Sequence, residues 1–184
     1  DNENKKLLEI GVGAGTDFIE FLKNGAICYG IDATHAAINE SRNNIKLAFS
    51  ETNKEFNLQY LEKINAENLP FPDNEFDIVY SFGVLHHAKN TMRCLSEAIR
   101  VLKPGGTLKI MVYSDFSAVG LMLWILHGLL KFKIFKSQEE IIFKHLESPG
   151  TKCYSQKELK KILEGFSMEN IVMKKNLGTG DLFL

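Results

Sequence analysis

The sequence predicts an α/β fold built on a mostly parallel sheet covered by helices on both faces. Short apolar, β-rich runs alternate with helical stripes in the order β-α-β-α-β-β-α-β as far as residue 113. The first run feeds a glycine-rich turn that opens a helix, Glu9-x-Gly11-x-Gly13-x-Gly15. An acidic residue, Asp32, closes the second run at roughly the twenty-residue distance that suits a ribose-binding carboxylate. A length of 184 residues with 45% hydrophobic and 24% charged residues suits one domain with a core of its own.

Each element has a local reason. Leu7 to Ile10 reads as a strand ending at Gly11. Thr16 to Lys23 is a helix with Phe18, Ile19 and Leu22 inward, closed by Asn24-Gly25. Ala26 to Ile31 is the second strand, and Thr34 caps a helix to Phe49 with Ile38, Ser41 and Ile45 on one face. Glu51 to Asn57 is a polar loop, followed by strands at Leu58 to Ile64 and Phe76 to Phe82. The loop between those two strands is short for a helical crossover. Asn90 to Leu102 is a helix with Met92, Leu95, Ile99 and Leu102 inward and Arg93, Glu97 and Arg100 on a solvated face. Lys103-Pro104-Gly105-Gly106 turns the chain into a fifth strand, Thr107 to Tyr113. Further on, Ser155-Gln156-Lys157-Glu158 is a capping box opening a helix to Gly165, and Met168 to Met173 and Asp181 to Leu184 read as two final strands.

The charge balance, 22 basic against 23 acidic residues, gives no electrostatic case for nucleic acid. Cys28, Cys94 and Cys153 are too few and too widely spaced for a zinc site or a disulfide framework, so no metal is expected. Reduced thiols and the lack of a signal sequence point to the cytoplasm. The chain starts at Asp1, close to its first strand, and a missing N-terminal segment is expected.

The glycine turn lets the backbone approach a ligand and exposes amide donors at a helix N-terminus. Its spacing fails the G-x-G-x-x-G fingerprint of nicotinamide and flavin binders, since Thr16 and Phe18 stand where a third glycine belongs. No G-K-[ST] follows, which excludes a P-loop. Asp32 has two readings, a ribose ligand and an acid at a helix start, and the glycine turn at this distance favours the ribose.

Five ordered segments resemble the class I S-adenosylmethionine (SAM) dependent methyltransferases. They are Leu7–Thr16, Tyr29-Gly30-Ile31-Asp32, Ala66-Glu67-Asn68-Leu69-Pro70-Phe71, Phe76–Ser81 with Val84-Leu85-His86-His87, and Val101–Leu108. Within that class the chain is most similar to the ubiquinone/menaquinone-biosynthesis-like group, the methyltransferase domain family 11 type. The resemblance implies a doubly wound, three-layer α/β/α Rossmann-like fold with a seven-stranded sheet in the order 3-2-1-4-5-7-6, the last strand antiparallel. It implies one domain over residues 1–184, with its core at 7–113, a helical lid insertion at about 116–154 and a C-terminal helix and strands at 155–184. It places Gly11, Gly13 and Gly15 at the methionine and ribose portion of SAM, Asp32 at the ribose, and Ala66 and Glu67 at the adenine, flanked by Ala33 and Thr34. Glu9 would orient the turn or meet the methionine amino group, and Ser81 and Phe82 would line the same end.

The acceptor side rests on fewer signals. His86 and His87 follow the fourth strand and are candidates for a base, with packing under the turn as the other reading. His145 is a third candidate, approaching from the lid, and Tyr113 and Tyr154 are candidate substrate contacts. The Phe116 to Phe135 run is broken by Gly120, His127, Gly128, Lys131 and Lys133, which favours an apolar lid over a membrane-surface helix or a span. The reading is methyl transfer from SAM to a small, partly apolar acceptor by a monomer or homodimer. A SAM-binding module without turnover and a nicotinamide oxidoreductase are the alternatives.

Overall fold

The computed structural model describes residues 2–50, 55–114, 125 and 151–174. Its framework is a five-stranded parallel sheet in the order β3-β2-β1-β4-β5, formed by β1 (Lys6–Ile10), β2 (Ile27–Asp32), β3 (Asn57–Lys63), β4 (Phe76–Phe82) and β5 (Leu102–Met111). Helices α1 (Thr16–Lys23), α2 (His35–Phe49) and α3 (Thr91–Val101) lie between strands, and α4 (Gln156–Gly165) follows later. Contacts divide the chain into two compact units. One comprises Asp1–Leu85 with Asn90–Met111, the other His86–Lys89 with Val112–Leu184.

In the first unit the chain builds outward from β1 to β3, then returns to the other side of β1 for β4 and β5. That reversal leaves α1 and α2 over one face and α3 over the other, the doubly wound arrangement. Alternate residues of a strand point to opposite faces. Leu7, Cys28 and Leu61 therefore meet Phe18, Leu22, Ile38 and Ile45 from α1 and α2 in one apolar cluster. Tyr29, Tyr60 and Phe76 belong to the opposite face, where the Phe71 ring packs edge-on to all three at centroid distances of 5.1–5.9 Å.

Phe71 belongs to the connector between β3 and β4, residues 64–75, which contains no helix or strand. It has to pass β2 and β1, about 14 Å at ordinary strand spacing. Twelve extended residues reach about 40 Å, so the crossover is possible without a helix. The aromatic cluster does the covering that a helix would otherwise do.

Several boundaries correct the sequence reading. β5 starts at Leu102, not Thr107, and ends at Met111, not Tyr113. Phe76 pairs with Leu102 and Ile78 with Thr107, so Lys103–Gly106 is a bulge inside the strand, turned by Gly105 at φ 75°. On α3 the inward stripe is Thr91, Cys94, Leu95, Glu97, Ala98 and Val101, whereas Met92 is 42% exposed. The polar members Thr91 and Glu97 hid that stripe: the Thr91 hydroxyl donates to Leu85 O, and Glu97 is buried against Leu69. Glu97 and Arg100 are thus not a solvated pair.

In the second unit, Ser155 Oγ accepts the Glu158 N–H and caps α4, as the capping box requires. The expected strand Met168–Met173 does not form. Met168 N–H turns back to Leu163 O, and Asn170 has φ 53°, which breaks an extended run. The expected strand at 181–184 and most of the 116–154 insertion lie outside the described residues, so the two outer strands of a seven-stranded sheet have no counterpart among those described. No helix among the described residues is long and apolar enough to cross a membrane.

Gly30 tests the packing of α1 against the sheet. A Cβ there would lie 2.8–2.9 Å from Val12, Leu61 and Phe18 side-chain atoms, with no backbone strain. Gly30→Ala is expected to overpack the core by about 1–3 kcal/mol and to lower the melting temperature accordingly, as thermal unfolding followed by circular dichroism will read.

Candidate functional site

In a parallel sheet with its order reversed at β1 and β4, the carboxyl ends of those strands leave a crevice. The glycine turn follows β1 there. Gly11 N–H and Val12 N–H both donate to Ile31 O, at 2.8 and 3.1 Å, so the turn begins as a continuation of the ladder to β2. Gly13 N–H then reaches Asp32 Oδ2 at 3.2 Å. From the other side Asn44 Nδ2, on α2, donates to Ala14 O at 2.9 Å. Gly11, at φ 84°, meets the Val84 side chain so closely that a Cβ would lie 2.3 Å from it. Gly13, at φ 52°, is the contrast: nothing stands within 4 Å of where its Cβ would be. The turn is held at its ends and open at its middle glycine.

Asp32 joins this turn to the start of α2. Its Oδ1 accepts Thr34 N–H at 3.0 Å and the Thr34 hydroxyl at 3.2 Å, while Thr34 Oγ1 caps α2 by accepting Ala37 N–H. A carboxylate offers about four acceptor sites. Three are used within the protein, and the one left is on Oδ2, beside the open space at Gly13.

Glu9 lies within β1, beneath the turn, and is 4% exposed. Its Oε2 has no hydrogen-bond partner. Burial, and after it the charge of Asp17, pushes its carboxyl up to about 9. Asp17, on α1, accepts the Tyr80 hydroxyl at 2.6 Å. Burial and that bond raise the Tyr80 phenol, and burial with the Glu9 charge pushes the Cys28 thiol up to about 12. These groups from β1, α1, β4 and β2 form a cluster of acids, and the described cation beside it is Lys109, whose Nζ lies 5.7 Å from the centroid of the Tyr80 ring.

At the ends of the other strands, Ala33 is exposed after Asp32, and Ala66 and Glu67 follow β3 half-buried. Glu67 Oε1 accepts the Asn90 N–H at 2.8 Å. Ser81 is buried and its hydroxyl donates to Ile10 O at 2.9 Å, tying the ends of β1 and β4, whereas Phe82 is 56% exposed and stacks on Tyr80. All eleven residues assigned to the cofactor side by sequence, Thr34 among them, thus belong to the first unit. Asn44, Ser41 and Val84 were missed there. Their signal is only long-range: Ser41 Oγ lies 2.5 Å from where a Gly15 Cβ would be and has no partner.

The acceptor-side residues fall in the second unit. The His86 ring lies 4.1 Å from both the His87 and Tyr113 rings. His86 is fully buried, neither ring nitrogen has a partner, and burial holds it down to about 3, so it stays neutral at pH 7. That environment suits the packing reading better than a base. His87 is half-buried, with Nδ1 3.0 Å from Thr151 Oγ1. Tyr113 O accepts the Tyr154 N–H at 2.9 Å. His145 lies outside the described residues. No cluster with metal-ligand geometry occurs among the described residues.

Residues 8–110, over half of the chain, match the family described as Methyltransferase domain. The chain belongs to this family. Its fold and its five motifs are those of class I SAM-dependent methyltransferases, with SAM as cofactor, and the nicotinamide alternative is set aside. The chain is 26% identical over 174 residues to the demethylmenaquinone methyltransferase of Tropheryma whipplei (strain Twist), covering 93% of this chain and 69% of that protein. It is 33% identical over 129 residues to the ubiquinone/menaquinone biosynthesis C-methyltransferase UbiE of Francisella philomiragia, covering 66% of this chain but only 50% of that protein. The crystal structure of a SAM-dependent methyltransferase from Methanosarcina mazei matches with a TM-score of 0.65 at 22% identity, over 89% of this chain and 79% of that one, a likeness of fold.

Two pH experiments follow from the buried groups. The folded protein keeps the Glu9 proton above the unfolded range, so its stabilising effect is full below about pH 4 and is lost as pH rises toward 9. Glu9→Gln is expected to change little at pH 4 and to raise the melting temperature at pH 8 by roughly 5–10 °C, since even 1 kcal/mol moves a domain of this size by a few degrees. His86 has the opposite sign: its neutral form favours folding above about pH 6.5, and the advantage fades toward pH 3. His86→Phe keeps a ring in place, and its thermal melts are expected to show a shallower loss of stability between pH 6.5 and 4.

Proposed function

We propose that this chain transfers a methyl group from SAM to a small-molecule acceptor with a partly apolar, quinone-type body. The observation that carries the cofactor side is the turn at Gly13, open in the middle and bonded to an Asp32 carboxylate that keeps one acceptor site on that side. The groups present fit an adenosyl cofactor in three ways. Asp32 Oδ2 would accept a ribose hydroxyl. The acid pocket of Glu9 and Asp17 would neutralise a cationic amino-acid end, with Glu9 giving up its proton in exchange. Ala66 and Glu67 would meet the base.

When bound, SAM supplies a methyl group on a sulfonium, a good leaving group. The chain's own work is to align and to keep water out, a proximity effect. A base is needed only where the acceptor must lose a proton, and of the two adjacent histidines we assign that task to His87. The quinone-type acceptor is supported by the names of the relatives, one for demethylmenaquinone and one for ubiquinone/menaquinone C-methylation.

Calorimetry with SAM and S-adenosylhomocysteine, with NADH as control, tests the cofactor side. Binding of the two adenosyl compounds alone is expected. Asp32→Ala is expected to weaken both about ten- to hundredfold, as loss of a charge-assisted bond does, and an unchanged affinity refutes the ribose assignment. Transfer of label from SAM to a demethylmenaquinone-type quinol tests the acceptor. Tight binding without transfer to any acceptor would leave a binding module.

A further inference from the structure

The connector 64–75 has no ladder of its own, and α3 holds it. Arg100 offers five N–H donors, and all five are used. Nε donates to Glu97 Oε1 at 3.0 Å and Nη2 to Glu97 Oε2 at 2.8 Å. The remaining three reach Leu69 O at 3.1 Å, Phe71 O at 2.8 Å and Asp73 Oδ1 at 2.7 Å. Glu97, 3% exposed, also accepts the Leu69 N–H through Oε2 at 2.9 Å. Forked in this way, with Glu97 buried and Arg100 half-buried, the pair grips the backbone of the connector at two carbonyls and one amide.

The grip extends to Glu67. Its carbonyl accepts Arg93 Nε at 3.1 Å, and its Oε1 accepts the Asn90 N–H, both from the start of α3. No described residue bonds to Glu67 Oε2. A carboxylate oxygen accepts and does not donate, so it suits an exocyclic amino group and rejects a keto oxygen in the same place.

We propose that Glu97 and Arg100 are positioning residues for the purine end of the cofactor: by fixing the backbone of Leu69 and Phe71 on α3 they set where Glu67 presents its open oxygen, and so set the preference for adenine over hypoxanthine. The proposal rests on the reading above that Ala66 and Glu67 meet the base. Neither residue touches the ligand.

The test compares S-adenosylhomocysteine with S-inosylhomocysteine by calorimetry, alongside thermal melts. The wild type is expected to favour the adenine compound at least tenfold. In Arg100→Ala that ratio is expected to fall toward one, mainly through weaker adenine binding, and Arg100→Lys, without a fork, to restore only part of it. Asp73→Ala removes one exposed partner and is expected to keep the ratio. A wild-type ratio retained in folded Arg100→Ala overturns the proposal, whatever the melting temperature does, because a purely structural role moves stability and not base preference. If Arg100→Ala does not fold, Glu97→Gln decides in the same way: its amide oxygen still accepts from Leu69, but its NH2 faces an Arg100 N–H, so the fork is lost and the ratio is expected to fall. A wild type that binds adenosyl ligands without preferring adenine also overturns it, and one that binds neither compound overturns the cofactor reading as well.

Discussion

The first unit depends on β1 pairing on both sides at once. Its five residues bond to β2 along their whole length and to β4 along the middle three. That leaves no exposed edge, so the strand is buried on both faces and at both flanks. Everything that follows β1 inherits its position: the turn, the N-terminus of α1 and the Val84 contact. A carboxyl group inside such a strand is expensive. Glu9 therefore remains protonated rather than charged, and the acidity is stored beneath the turn instead of being displayed.

At the opposite end of the sheet the charges are ordinary. Asp77 accepts Lys6 N–H and Lys103 Nζ, the latter holding its carboxyl below the usual range, and so staples β1, β4 and the β5 bulge together. The sheet is thus pinned by satisfied charges at its amino ends and left with unsatisfied polar atoms at its carboxyl ends. Glu9 Oε2 belongs to the penultimate residue of β1, and Ser41 Oγ lies against Gly15 of the glycine turn. An asymmetry of this kind is what a binding edge requires, since strain and open valence collect where a ligand completes them.

Much of this was legible in the sequence because it is local. The strand β4, the helix α1 and the caps at Thr34 and Ser155 follow from short-range chemistry and came out within a residue or two. The glycine turn and Asp32 were legible for the same reason: each is a short motif at the end of a strand. What sequence periodicity missed were polar residues buried by long-range partners. Glu97 looks like a surface residue until Leu69, 28 positions away, gives it an amide to accept. Lys103–Gly106 looks like a turn between elements until the pairing of Phe76 with Leu102 shows it to be a bulge within one. The expected Met168–Met173 strand failed at Met168, whose N–H turns back to Leu163 O, and at Asn170, whose backbone conformation is not visible in an apolar pattern.

All three cysteines are buried, and two of them, Cys28 and Cys94, belong to the first unit while Cys153 belongs to the second. A thiol reacts as its thiolate and only where a reagent reaches it. Alkylation in the native protein therefore waits for local opening, and the three sulfurs act as separate clocks: Cys28 for release of β2 from the core beneath α1, Cys94 for release of α3, and Cys153 for the second unit on its own. Labelling followed by mass measurement turns these buried side chains into a site-by-site readout of how independently the two units breathe.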